Sequence, residues 1–266
     1  MIPKNGTFDV DSNATKVGGS FDTESFVEVP NAVAAVMHIM YFSVSVIAIG
    51  GNGMVCYIII AHQRMRTVTN FFILNLAVGD ILMAILCIPF GFVSNLLLQY
   101  WPFGAAMCVI VSYAQAVSVF VSAYTLISIS IDRYIAILYP LRLRMTKLQA
   151  KLIIIAVWTV SLITPLPTAI LSRLELHPAS TKNGETPRYV CMEAWQNSQQ
   201  RYHYSMALMA LQYFFPLTVL LFTYCRIGIV VWGSKPPGEA EDGRDQRLAA
   251  SKRKVSNTIS FFLFLS

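Results

Sequence analysis

Two long stretches without a single charge constrain this chain more than anything else in it. From Val29 to Gln63, about 35 residues, there is no Asp, Glu, Lys or Arg, and from Ile81 to Ile131 there is none either. A helix needs only about 20 apolar residues to cross the hydrocarbon core of a bilayer. The first stretch therefore predicts span one, about Val33 to Ala61. The second is long enough for most of two spans, and its polar and Pro/Gly cluster QYWPFG (99–104) marks the turn between them. Spans two and three are expected at about Asn70–Leu98 and Phe103–Leu138, and the apolar runs Leu152–Ser172 and Tyr202–Cys225 supply spans four and five. Each reaches about 30 Å or more at 1.5 Å rise per residue. Composition agrees: 55% of residues are hydrophobic and only 13% charged, with mean hydropathy +0.56, against about a quarter charged in soluble domains.

The basic residues give an orientation. With the N-terminus outside, about 14 of the 20 Lys and Arg fall on the inner side, among them Arg64, Arg66, Arg142, Arg144, Lys147, Lys151 and Lys252 to Lys254, as the positive-inside bias requires. The isoelectric point of 9.1 is thereby explained without nucleic acid. The opening MIPKNGTFDV has no apolar signal-peptide core, so span one is expected to direct insertion. Two sequons, at Asn5 and Asn13, lie in the outer tail and would accept glycans there. Of five cysteines, Cys56, Cys87 and Cys225 fall within spans, whereas Cys108 and Cys191 face the outer, oxidising side.

Polar residues at membrane depth need reasons. Asp80 lies mid-span in NLAVGDILM, where an acid costs about 2.5–3.5 kcal/mol on insertion scales. Two readings stand side by side: a hydrogen-bond node with Asn52 and Asn75, or a bound cation. At the inner end of span three, Asp132-Arg133-Tyr134 are either interfacial anchors or a functional motif.

The order of short motifs decides for function. Gly51-Asn52 in span one, LAVGD in span two, YWPFG before Cys108, IDRY closing span three, Trp158 in span four, and Pro216 with Tyr224 in span five resemble the rhodopsin-like (class A) G-protein-coupled receptors. Within that superfamily MRTVTNFFILNLAVGDILM, QAVSVFVSAYTLISISIDRYIAI and PPGEAEDGRDQRLAASKRK resemble invertebrate RYamide receptors, close to the neuropeptide Y/F-like and tachykinin-like receptors. The resemblance implies an all-α membrane protein, the first five helices of a seven-transmembrane bundle. Its parts are an extracellular tail (1–32), the helices (33–232), a third cytoplasmic loop (233–255) and a tail outside the family pattern (256–266). It also implies a Cys108–Cys191 disulfide pinning the outer loop over the bundle.

The resemblance implies roles for single residues. Arg133 would pair with Asp132 at rest and turn to a heterotrimeric G protein when active, with Tyr224 offering its hydroxyl to Arg133. Asp80 and Ser122 would form the inner half of a sodium site, whose other half comes from spans three and seven; with no seventh span expected here, the site is expected to be incomplete. Asn52 and Trp158 would serve helix packing. Pro216 removes a helix hydrogen bond near the ligand pocket; a plain kink is the alternative.

For the ligand, the position where amine receptors carry an acid holds Gln115, a neutral amide that can hydrogen-bond a peptide on both edges. A peptide fits better than a monoamine, and the resemblance implies an amidated one ending in Arg-Tyr-amide. An arginine in that peptide wants a carboxylate: Glu175, Glu185 and Glu193 are on the outer loop, and Glu193 is favoured because the bridge at Cys191 would hold it over the pocket, a solvated loop acid being the competing reading. Tyr100, Trp101 and Trp195 are candidates for the mouth, with Trp101 alternatively packing the loop.

Other classes fare worse. A transporter would explain Asp80, Asn52 and Pro216, but the chain shows no paired half-repeats. No HExxH, GxSxG, P-loop or CxxC occurs, and His38, His62, His177 and His203 are scattered over separate segments, so neither an enzyme nor a metal centre is expected beyond the sodium ion. After Lys254 the text VSNTISFFLFLS departs from the resemblance and is too short to span. The expectation is a retained intron, whose donor GTAAGT or GTGAGT reads Val255-Ser256, or a short isoform that partners full-length receptor. Such a chain is not expected to signal alone. Plasma-membrane location is expected, with intracellular retention as the alternative for the short chain.

Overall fold

The structure is a computed structural model and describes residues 30–139, 141, 144–176 and 188–233. The sequons at Asn5 and Asn13, Glu185, His177, nearly all of the third loop and the tail 256–266 lie outside the described residues. Five helical segments are long and apolar enough to cross a membrane: Ala32–Ala61, Val68–Phe92, Gly104–Leu138, Lys147–Leu171 and Ser198–Val231. These are spans one to five below.

Span one follows Pro30 and runs without charge to Ala61. The helix end leaves carbonyls without intrahelical partners, and Arg66 reaches back to supply one, its Nη2 donating to Ile60 O at 2.6 Å. Thr67 then caps span two, its hydroxyl accepting from Asn70 N at 3.3 Å. Span two is not a uniform α-helix. It widens into π-type turns at Met83–Cys87 and Val93–Leu98 on either side of Pro89, which has no N–H for the ladder. The second wide turn ends at Gln99, whose φ of 55° is left-handed, and Gly104, with φ 80°, opens span three. Trp101 fills the turn between them: its Nε1 donates to Gly104 O at 2.9 Å and its backbone N to Tyr189 O at 2.6 Å.

Span three, 35 residues, is the axis of the bundle. It packs against spans two, four and five and buries Val117, Phe120, Val121, Thr125, Ile127 and Ile129. Gly79 of span two sits so close to it that an added Cβ would stand 3.2 Å from Ser122 Oγ. Span four begins at Lys147, five residues before the expected Leu152, because Thr146 and Gln149 form a reciprocal capping box. Charged side chains at its first turn snorkel at the membrane boundary and do not shorten the helix. Span five likewise starts at Ser198 and continues past Arg226 to Gly233, longer than the expected Tyr202–Cys225. A π-type turn at Ala210–Phe214 precedes Pro216, where the helix ladder loses a donor.

The outer loop adds what the all-helical expectation did not include. Strand β1 (Ser172–Leu176) pairs antiparallel with β2 (Tyr189–Glu193), with Leu174 opposite Cys191. Cys191 is bonded to Cys108 with Cα atoms 5.6 Å apart. The hairpin is thereby clamped onto the outer end of span three, where Trp101, Cys108 and Val111 pack with Phe90, Phe103 and Leu174. Many large apolar side chains face outward, Phe42 and Ile47 among them, as lipid-exposed helix surfaces do.

Candidate functional site

Three polar places line up along span three. The outermost is a cavity of about 270 Å³ between the ends of spans two and three and the hairpin. Ser94, Gln99, Tyr100, Trp101, Ser112 and Gln115 contribute to its wall, and among the described residues none that lines it is charged. Such a wall offers hydrogen bonds in both directions to an uncharged polar group. Gln115 and Trp101 thus share one cavity. Trp101 is only 8% exposed and doubly hydrogen-bonded, so it builds the turn as well as the wall. Arg188 lies over the Tyr100 ring, 5.5 Å from its centroid.

Glu193 is not part of that cavity wall. It stands two residues beyond Cys191 on β2, where alternation sends both side chains to the same face. Trp195 Nε1 donates to Glu193 Oε2 at 2.8 Å. The indole packs against Tyr204 of span five at 5.1 Å between centroids, and the Tyr204 hydroxyl hydrogen-bonds Thr168 Oγ1 of span four at 3.0 Å. Trp195 therefore orients the carboxylate and belongs to this cluster. Glu175 is exposed on β1.

At mid-depth Ser122 Oγ donates to Asp80 Oδ1 at 3.3 Å. The single node expected for Asp80, Asn52 and Asn75 is not formed among the described residues. Asn52 Nδ2 donates within its own helix to Ala48 O at 3.0 Å. Asn75 forms a separate, buried node: its Nδ2 donates to Thr125 Oγ1 at 2.7 Å, and Trp158 Nε1 donates to its Oδ1 at 2.7 Å. Five residues on a helix turn the side chain by about 140°, so Asn75 and Asp80 meet different neighbours.

At the inner end the expected direct pair of Asp132 with Arg133 is replaced by a bridge. Arg133 Nη2 donates to Thr69 Oγ1 at 2.7 Å, and Thr69 Oγ1 donates to Asp132 Oδ2 at 3.1 Å. Adjacent residues on a helix point about 100° apart, which leaves room for a hydroxyl between the two charged groups. Thr69 was missed in the sequence; its signal is a hydroxyl in the first turn of span two, at the depth of Arg133. Tyr134 faces span five, with Phe222 at 6.4 Å between centroids. Tyr224 of span five is within electrostatic reach of Arg133. Pro216 lies just after the wide turn of span five and contributes no side-chain polar group to any of the three places.

Residues 51–265 match the family described as 7 transmembrane receptor (rhodopsin family). The chain belongs to that family. This rhodopsin-family chain is 53% identical over 220 residues to the RYamide receptor of Drosophila melanogaster, covering 83% of the chain and 47% of that receptor. It is 46% identical over 257 residues to the RYamide receptor of Tribolium castaneum, covering 92% of the chain and 70% of that receptor. With the tachykinin-like peptides receptor 86C of Drosophila melanogaster it shares 36% identity over 236 residues, 86% of the chain and 45% of the relative. The chain thus spans about half the length of two of these three relatives. The family match continues through residues 256–265, the segment set apart in the sequence. Membership makes the chain a multi-pass membrane protein of a receptor family and not an enzyme.

Proposed function

We propose that this chain forms the outer pocket and inner switch of a receptor for an amidated neuropeptide of the RYamide type. The observation that carries the reading is the uncharged polar cavity beside Gln115, roofed by the disulfide-clamped hairpin. A peptide carboxamide is neutral, donates and accepts, and matches that wall. Glu193, held by Trp195 beside Tyr204, is the carboxylate for an arginine of the peptide.

The N-terminus lies outside and the chain resides in the plasma membrane. This orientation is supported by the disulfide in the outer hairpin, which suits an oxidising side, and by Arg64, Arg66, Arg144 and Lys147 at the opposite end. On that inner side Arg133, released from Thr69, contacts a heterotrimeric G protein. At mid-depth the oxygens of Asp80 and Ser122 fit part of a sodium site, since a carboxylate and a hydroxyl suit a hard cation.

The test uses a chimera in which residues 1–254 replace the corresponding part of the Drosophila RYamide receptor. It is expected to bind an amidated Arg-Tyr peptide more tightly than the free acid, and Gln115→Ala is expected to weaken that binding about tenfold. Equal affinity for amide and acid, or for wild type and Gln115→Ala, overturns the assignment.

A further inference from the structure

The outer hairpin has one edge that its own ladder does not use. In an antiparallel pair, residues that exchange hydrogen bonds alternate with residues whose N–H and C=O point away from the partner strand. The register from Ser172 opposite Glu193 to Leu176 opposite Tyr189 is unbroken. One step further, Leu171 stands opposite Ala194, and Ala194 N donates to Leu171 O at 2.9 Å. Arg173 with Met192 and Glu175 with Val190 are therefore the bonded pairs, and the backbone groups of Tyr189, Cys191 and Glu193 face away from β1. Trp101 confirms the phase independently: its N donates to Tyr189 O at 2.6 Å from outside the hairpin.

The free part of that edge begins at the cavity. Trp101 occupies the edge at Tyr189, and Cys191, the next position along it, shares the cavity wall with Trp101 and Gln115. Two residues on stands Glu193, half-buried like Cys191 and with its side chain on the same face. Among the described residues no backbone partner outside the hairpin is found for Cys191 or Glu193. Unpaired N–H and C=O groups along a sheet edge are a template for another extended chain. The edge of β1 is unpaired too, but among the described residues none of β1 lines the cavity.

We propose that the peptide's C-terminal end adds to β2 as a short antiparallel strand, with its arginine directly opposite Glu193. The arginine backbone N–H then donates to Glu193 O, and its C=O accepts from Glu193 N. Residues opposite one another in an antiparallel pair share a face, so the guanidinium falls on the side of the Glu193 carboxylate. Antiparallel direction runs the peptide from Glu193 toward Cys191, which brings its terminal carboxamide to the cavity. The carboxamide nitrogen occupies the place of the next backbone N–H and donates to Cys191 O, leaving the carboxamide oxygen for Gln115. A free acid has no such donor. The main chain supplies affinity and the side chains supply choice, as in strand addition generally. This register rests on the receptor reading of the cavity and of Glu193, and experiment separates the two.

Peptide binding to the chimera is measured with single backbone atoms exchanged. An ester oxygen in place of the arginine N–H removes the donor to Glu193 O and is expected to weaken the amidated Arg-Tyr peptide about tenfold. The same exchange at the following tyrosine, whose N–H points away from β2, is expected to cost less than about twofold. At the C-terminus a monomethylamide keeps one hydrogen and is expected to bind far better than a dimethylamide, which has none. On the protein side, bound peptide is expected to slow hydrogen exchange of the Glu193 amide at least about tenfold, and to leave that of Met192, already paired with β1, unchanged. Equal losses for the two esters overturn the register, as does equal binding of the two methylated amides or an unslowed Glu193 amide. Failure of the parent peptide to bind overturns the receptor reading and the register with it; binding without this alternation overturns the register alone.

Discussion

Thr69 Oγ1 accepts a hydrogen bond from Arg133 Nη2 at 2.7 Å while its own proton goes to Asp132 Oδ2 at 3.1 Å. One hydroxyl from span two thereby holds both charged members of the inner motif on span three. If this arrangement is the resting one, Thr69→Val keeps the shape and loses both bonds, and Arg133 is freed without any ligand. Basal nucleotide exchange on the G protein by the chimera is expected to rise roughly fivefold, the low end of allosteric coupling. Thr69→Ser restores it. A GTPγS binding assay without peptide reads the difference, and unchanged basal exchange in Thr69→Val refutes the latch.

The Cys108–Cys191 bond closes a loop across 83 positions of sequence. Loop-closure entropy for that length corresponds to about 4–5 kcal/mol. Cys191→Ser is therefore expected to lower the midpoint of thermal unfolding in detergent by several degrees and to abolish peptide binding in the chimera. Mild reductant is expected to reproduce the shift in the unaltered chain and leave Cys191→Ser unmoved.

The spans were legible because charge is expensive in hydrocarbon, and the sequence therefore records membrane depth almost directly. Their ends were less so: Lys147 and Arg226 sit inside helices because long side chains carry their charge to the boundary. The hairpin at Ser172–Leu176 and Tyr189–Glu193 was not legible, since its strands are short and separated by residues 177–188. Site residues were readable one by one, and Asp80 with Ser122 as a pair through the resemblance, but the partners of Asn75, Asp132 and Glu193 were not. Nothing in the spacing of Asp80, Asn75 and Asn52 tells which neighbouring helix each one faces.

The buried node at Asn75 gives a quantitative check. Asn75 is 7% exposed and joins spans three and four through Thr125 and Trp158. Interhelical hydrogen bonds in membrane proteins average about 0.6 kcal/mol and reach about 1.7. Trp158→Phe and Asn75→Ala are each expected to destabilise the bundle by about 1 kcal/mol, and the double variant by less than the sum. Reversible unfolding in mixed micelles gives the three values. Strict additivity would show that the two side chains do not share a bond.

Gly79 and Ser122 couple by space. A Cβ at position 79 would lie 3.2 Å from Ser122 Oγ and 3.4 Å from Val121 Cγ1, so Gly79→Ala pushes on the hydroxyl that donates to Asp80. Gly79→Ala is expected to cost about 1 kcal/mol, and Ser122→Ala, which removes the crowded oxygen, is expected to recover part of it. In the chimera both single variants are expected to weaken the effect of sodium on peptide affinity, measured against a larger monovalent cation. A full sodium response in Ser122→Ala would detach that residue from the proposed cation site.

Glu193 and Trp195 separate orientation from charge. Trp195 Nε1 occupies one carboxylate oxygen and leaves the other for a guanidinium. Trp195→Phe keeps an aromatic ring against Tyr204 and loses only the N–H, a bond of about 1 kcal/mol. It is expected to weaken an arginine-bearing peptide about fivefold in the chimera, whereas Glu193→Gln removes the charge and is expected to weaken it at least about thirtyfold. A peptide with citrulline in place of arginine discriminates the causes. It has the same shape without the cation, so its affinity should be low already and nearly unmoved by either change. If citrulline and arginine peptides lose affinity by the same factor in Glu193→Gln, the carboxylate acts by shaping the loop and does not touch the ligand.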